Sequence, residues 1–387
     1  MKRCLSIAVV SLVAGLLAGV ANAQEKVTTT GSATTQAANA SGAGVFAATG
    51  LSKKTDVMAG AEEATKAMMD AFKAAGKKPG AVIFLERVAE PGKFAGKGKQ
   101  IGDKVKELAG GAPTFGHGGT SEYGLTLGAD VKDKDSTFLV LGIAAPGLEA
   151  KGYATGGKIE YSYASEKPRP TDTQKAEQWE QDIAKEKVLR ETAKARGKQL
   201  GTMIPKLSKP GVVVFMGALH NNWHVTFLEG LREAVGEKTP VIGGVGRWDD
   251  YVYNNGDPIK TADGKDAPAG QLAVVIQGDM QVVLAGAVCE DKYKKEGVAA
   301  TIEAVAKKGL AGLNGKKPAA VIAFSCVTLL RDSKVMDPSV LYAQMSKLYG
   351  PTTPLFGCFC GGEAGTANDG KFTAGGDRFM TAVIAEK

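Results

Sequence analysis

Three times along the chain a Lys-Pro pair introduces a short apolar run: "KKPGAVIF" from Lys77, "SKPGVVVF" from Ser208 and "KKPAAVIAF" from Lys316. Proline ends whatever precedes it, and the β-branched and aromatic residues that follow favour an extended strand. Each run is followed by apolar residues at helical spacing: Ile101, Val105 and Leu108; then Val225, Leu228, Leu231 and Val235; then Leu341, Met345 and Leu348. Asp337 before Pro338 supplies the third helix with a cap and a first-turn proline. Gly110, Gly236 and Gly350 stand where left-handed C-caps are expected.

A Pro-x-x-Gly sequence follows each helix, as "PTFG" at Pro113, "PVIG" at Pro240 and "PLFG" at Pro354. The runs "STFLVLGIA", "QLAVVIQG" and "FMTAVIAEK" then close the units. The repeat reads strand, helix, short strand with a glycine turn, strand. Three such units in one order imply duplication and an α/β fold of mixed β-sheets with flanking helices.

The ends of the chain carry different signals. Lys2 and Arg3, an apolar run from Leu5 to Val20 and Ala21-Asn22-Ala23 form a secretory signal pattern over residues 1–23, with cleavage before Gln24. Periplasmic or secreted localisation is therefore expected, and no later run is apolar enough to span a bilayer. Residues 24–50 are rich in Thr, Ala, Ser and Gly and read as a flexible linker. The formal charge of +7 would fall to +5 on loss of Lys2 and Arg3. Its lysines are scattered rather than gathered with aromatics, which argues against nucleic acid.

Between the first two units the charged stretch from Glu166 fits a solvated helix, capped by Thr171 or Asp172 and packed by Trp179, Ile183 and Val188 or Leu189. Chemistry is expected at the glycine turns "GHGGTSEYG", "GGVGRWDDYVYN" and "GCFCGGEAGTANDG", because ligands gather at the strand ends of α/β sheets. Their exposed N–H groups suit a carboxylate or carbonyl. His117, Glu122, Gly243, Gly244, Arg247, Ser325, Cys326, Gly362 and Glu363 are the candidate ligand-binding residues. Glu363 and Arg247 carry charges suited to the ammonium and carboxylate ends of an amino-acid-like ligand. Cys326 as a nucleophile, or a metal site of histidines and thiols built on His220, His224, Cys358 and Cys360, is the enzymatic alternative. His220-Asn-Asn-Trp-His224 lacks the glutamate of the zincin pattern, and Cys358-x-Cys360 lacks the usual two-residue gap. No cofactor motif is present.

"AVIAFSC" followed by "PLFGCFCGGEAG" resembles the C-terminal half of the FIST domain, and "GHGGTSE" with "PVIGG" resembles its N-terminal half. The resemblance spans about Lys78 to the C-terminus and implies halves over residues 51–255 and 256–387. His117 stands where the family's turn carries cysteine. It further implies a sensory protein that binds a small molecule, amino-acid-like in class. With no transmitter domain attached, signalling would pass through a separate protein partner.

Overall fold

The computed structural model describes residues 33–37, 44–88, 97–119, 125–132, 135–157, 159, 164–218, 223–246, 251–261, 263–267, 270–331 and 337–387. The first unit runs β1 (Thr34–Ala37), β2 (Phe46–Ser52), α1 (Val57–Ala74), β3 (Ala81–Arg87), α2 (Gly98–Leu108), β4 (Thr114–Gly119), β5 (Leu125–Thr126) and β6 (Thr137–Ala144). The second runs β7 (Glu149–Gly156), α3 (Thr173–Met203), β8 (Gly211–Ala218), α4 (Trp223–Val235), β9 (Val241–Gly246), β10 (Tyr251–Asn254) and β11 (Gly270–Gln277). The third runs β12 (Met280–Val288), α5 (Lys295–Gly312), β13 (Pro318–Cys326), α6 (Thr328–Arg331), α7 (Pro338–Tyr349), β14 (Leu355–Cys360), β15 (Gly362–Thr366), β16 (Phe372–Gly375) and β17 (Arg378–Glu386).

The three Lys-Pro runs are β3, β8 and β13, and each lies parallel to the Pro-x-x-Gly strand that follows it: β4, β9 and β14. The closing strands β6, β11 and β17 add antiparallel on the other side. The repeat is longer than its sequence signature, because each unit begins with a further strand and helix, β2-α1, β7-α3 and β12-α5. The extra strands pair antiparallel with the closing ones. Their small residues, as in "FAATGLS" and "EAKGYATG", carry little β preference and hide them from pattern reading. The result is an α/β protein of three mixed sheets.

Each unit also sends a strand into a neighbour's sheet. β5 pairs with β14 in the third sheet, β10 with β4 in the first, and β15 with β9 in the second. The exchange is cyclic and ties all three units together. Gln36 of β1 adds a further tie, since its side chain donates to Pro351 O at 3.2 Å and accepts from Leu355 N–H at 3.3 Å.

The inner faces of the sheets share one core, where Ile83, Leu141, Val214, Val274, Ile322 and Phe356 are fully buried. Helices cover the outer faces: Met68, Phe72 and Ile101 seal the first sheet, and Leu200, Phe227 and Leu231 the second. Asp172 and Asp337 cap α3 and α7 by accepting from Lys175 N–H and Ser339 N–H. Gly110 and Gly236 end α2 and α4 at φ +69° and +81°, as left-handed caps require. Gly350 departs from that expectation at φ 109° and ψ 140°, outside the left-handed helical region.

Two further expectations meet a different outcome. Residues 34–37 and 46–50, inside the stretch read as a linker, are strand, and β2 is buried throughout because it sits between β1 and β6. On α3, Val188 is exposed while Leu189 packs half-buried against the core that covers the second sheet, and the fully buried seam adds Ala193, Gly197, Leu200 and Gly201.

Candidate functional site

Six of the nine candidate residues converge at the carboxyl ends of β9 and β13 and the start of β15. Cys326 and Cys360 are register partners on parallel strands, and Glu363 pairs with Gly244 across β15 and β9. Gly243, Ser325 and Gly362 are their immediate neighbours along these strands. Gly244 is needed for the approach: a Cβ there would lie 2.5 Å from Cys360 Sγ and 2.7 Å from Phe324.

Glu363 is fully buried. Its Oε1 accepts from the Cys360 thiol at 3.3 Å and its Oε2 from the Arg378 N–H at 3.3 Å. Burial, reinforced by the Cys360 thiol, lifts its carboxyl well above the usual carboxylate range. Burial thus favours the protonated form, in which the group donates one hydrogen bond and accepts others. Burial also lifts the Cys360 thiol well above its ordinary value, and burial with the nearby Glu363 pushes Cys326 up to about 12. Neither thiol is a thiolate nucleophile in this state.

A polar rim borders these groups. Thr328 Oγ1 lies 2.9 Å from Cys326 Sγ and donates to Asp377 Oδ1 at 2.6 Å. Lys292 pairs with Asp377 at 2.8 Å. Burial opposes ionisation of Asp377, but the bonds from Lys292 and Thr328 outweigh it and hold its carboxyl below the usual range. Sequence reasoning missed Thr328, Asp377, Arg378 and Lys292. The available signal was "GGDR", a glycine pair before an acidic and a basic residue at the start of the last strand.

His117 lies apart from this group, on β4, where its register partners are Leu85 and Val252. Burial pushes it down to about 4. Glu122, Arg247 and His220 lie outside the described residues. Among the described residues, no group of three or more His, Cys, Asp and Glu side chains is placed to hold a metal ion. A second buried carboxyl sits at the end of β3: Glu86 accepts from Tyr251 O–H at 2.7 Å, and burial pushes it up to about 8. A surface groove of about 200 Å³ between α3 and β7, lined by Arg196, Gln199 and Lys260, contains none of the candidates.

No family model matches the chain, and no curated protein matches it. Among solved structures, cyanuric acid hydrolase from A. caulinodans aligns at 11% identity over 89% of this chain and 99% of that one, with a TM-score of 0.42. PurLQS from Thermotoga maritima aligns at 9% identity over 91% and 74% of the two chains, with a TM-score of 0.27. T. maritima PurL complexed with ATP aligns at 10% identity over 89% and 72%, with a TM-score of 0.25. Likenesses this distant carry no argument about what the chain does.

Proposed function

We propose that the chain is an exported, FIST-like sensory protein that binds a small amino-acid-like ligand at the Glu363 corner and signals through a separate partner. One observation carries the reading: residues from β9, β13 and β15, in two different sheets, converge on a fully buried carboxyl. A core seeking only stability would favour an apolar residue there, since burying a carboxyl costs free energy even when it is neutral.

The raised proton affinity of Glu363 refines how such a ligand is held. An ammonium group can pair with it only if the carboxyl loses its proton, so binding and proton release are coupled. Affinity for an amine-bearing ligand then rises with pH until it passes the carboxyl's raised value. Because Glu363 is sealed, the ligand enters through a local opening beside β15 and the Gly376-Asp377 turn.

Calorimetry of the chain from Gln24 onward against the amino acids tests this. Binding with proton release, visible as a heat that depends on buffer ionisation, is expected, and Glu363→Gln should weaken it at least tenfold. Unchanged affinity in that variant would sink the assignment. The pairing of Cys326 with Cys360 favours a thiol-dependent activity as the second reading, which requires turnover sensitive to iodoacetamide.

A further inference from the structure

The opening strands of the three units, β2, β7 and β12, share one register, and their outer edges are finished differently. Val82, Val213 and Val321 hold equivalent places, each opposite the residue after the proline of its Pro-x-x-Gly strand. At one same distance further along, Glu86, Gly217 and Ser325 face Phe138, Gln271 and Phe379 of the closing strands. On their other side these three pair with Ser52, Thr155 and Ala287 of the opening strands. Leu51, Ala154 and Gly286, each one residue earlier, are therefore equivalent positions.

Two of these edges are closed by the chain itself. β1 pairs antiparallel with β2, placing Thr34 opposite Leu51, and lies against α1. On β12, Asn368 closes the edge alone: its N–H donates to Gly286 O at 2.7 Å and its side-chain carbonyl accepts from Gly286 N–H at 3.1 Å. β7 ends the second sheet, and among the described residues no strand covers it. Gly156 N–H leaves that edge to reach Lys260 O at 2.8 Å, so the N–H and C=O of Ala154, which alternate back to the same edge, point outward too. Where β1 and Asn368 stand in the other units, Ala154 borders the groove of about 200 Å³ between β7 and α3. The charged residues lining this groove, Arg196 and Lys260, are both cationic. Arg196 donates to Gly157 O at 3.3 Å and Lys260 pairs with Asp266 at the surface, an exposed contact of little strength. Sheet edges are commonly guarded by charge, but Glu149 and Lys151 lie at the start of β7, and Gly152 to Gly156 carry none.

The group that fills the other two edges has the chemistry of a main chain. β1 supplies backbone N–H and C=O, and Asn368 supplies one donor and one acceptor, so the edge at Ala154 calls for the same pair. We propose that the β7 edge and its groove dock an extended acidic segment of a partner protein, which adds antiparallel to β7 as β1 adds to β2. Main-chain hydrogen bonds to Ala154 hold the strand, and an acidic side chain turned towards α3 meets the positive charge of Arg196 and Lys260. The site lies apart from the Glu363 corner and stands whether or not that corner binds a ligand.

A fluorescein-labelled octapeptide of alternating threonine and glutamate, titrated with the full chain and followed by anisotropy, is the test. Saturable binding is expected, at least tenfold tighter than for the same peptide with lysine in place of glutamate, and lost when the peptide's backbone nitrogens are methylated. Ala154→Pro removes the outward N–H and leaves the ladder to β11 in place, so it should weaken binding at least tenfold with thermal unfolding near wild type. Lys260→Glu, a surface change, should weaken binding to a similar degree. Absence of saturable binding overturns the proposal. So does equal binding of the methylated or lysine peptide, or binding that both variants retain.

Discussion

Glu86 ends β3 with its carboxyl buried and bonded to Tyr251, a residue of the exchanged strand β10. Its folded value of about 8 stands above the ordinary 4.5, so the folded state holds the proton more tightly than the unfolded one. The stability this gives is fully present below pH 4.5 and is lost as pH rises to about 8. The loss is on the order of 4–5 kcal/mol from the shift alone. Glu86→Gln should remove that slope, leaving the variant close to wild type near pH 4 and more stable than it near pH 9 in urea titrations. Parallel slopes for the two proteins would exclude the assignment. His117 acts in the opposite sense: its value is depressed from 6.5 to about 4, so its contribution is present above pH 6.5 and lost as pH falls through 4. The sequence displayed Glu363 through its place in a glycine turn. It gave Glu86 no such marker, because an acid at the end of an apolar strand looks like the start of a solvated loop.

Helices α3 and α4 approach each other closely at glycines. A Cβ on Gly197 would run into the Phe227 carbonyl, and one on Gly230 into the Lys194 carbonyl. Gly197→Ala and Gly230→Ala should each cost about 1–3 kcal/mol or more, because backbone cannot move aside as a side chain can. Equilibrium denaturation decides this, and a variant as stable as wild type would show that the helices can separate freely. The element scale also shows where pattern reading succeeds. α2, α4 and α7 bury Ile101, Val105, Leu228, Leu231, Leu341 and Met345 as their apolar spacing selects, with Leu108, Val225, Val235 and Leu348 half-buried at the edges, and Asp337 with Pro338 starts α7 as capping chemistry dictates. α3 departs from that rule because Leu200 shares its seam with Ala193, Gly197 and Gly201, small residues that hydrophobic periodicity does not register.

At the scale of the whole molecule, the cyclic exchange of β5, β10 and β15 makes each sheet incomplete without another unit. The single core lined by all three sheets works in the same direction. Unfolding should therefore be one cooperative transition, with far-ultraviolet circular dichroism and tryptophan fluorescence giving coincident curves. Separated transitions would mean that the units fold independently despite the exchange. No helix among the described residues is long and apolar enough to cross a membrane. The Lys-Pro strands, their following helices and the Pro-x-x-Gly strands were readable in the residues, because proline, β-branching and helical spacing act within a few positions of one another. Which sheet β5, β10 and β15 would join was not, nor that Cys326, Cys360 and Glu363 would share one buried corner. Those outcomes depend on hydrogen bonds and packing between residues more than a hundred positions apart or across separate strands, which no local pattern in the chain encodes and only the closed ring of three sheets brings about.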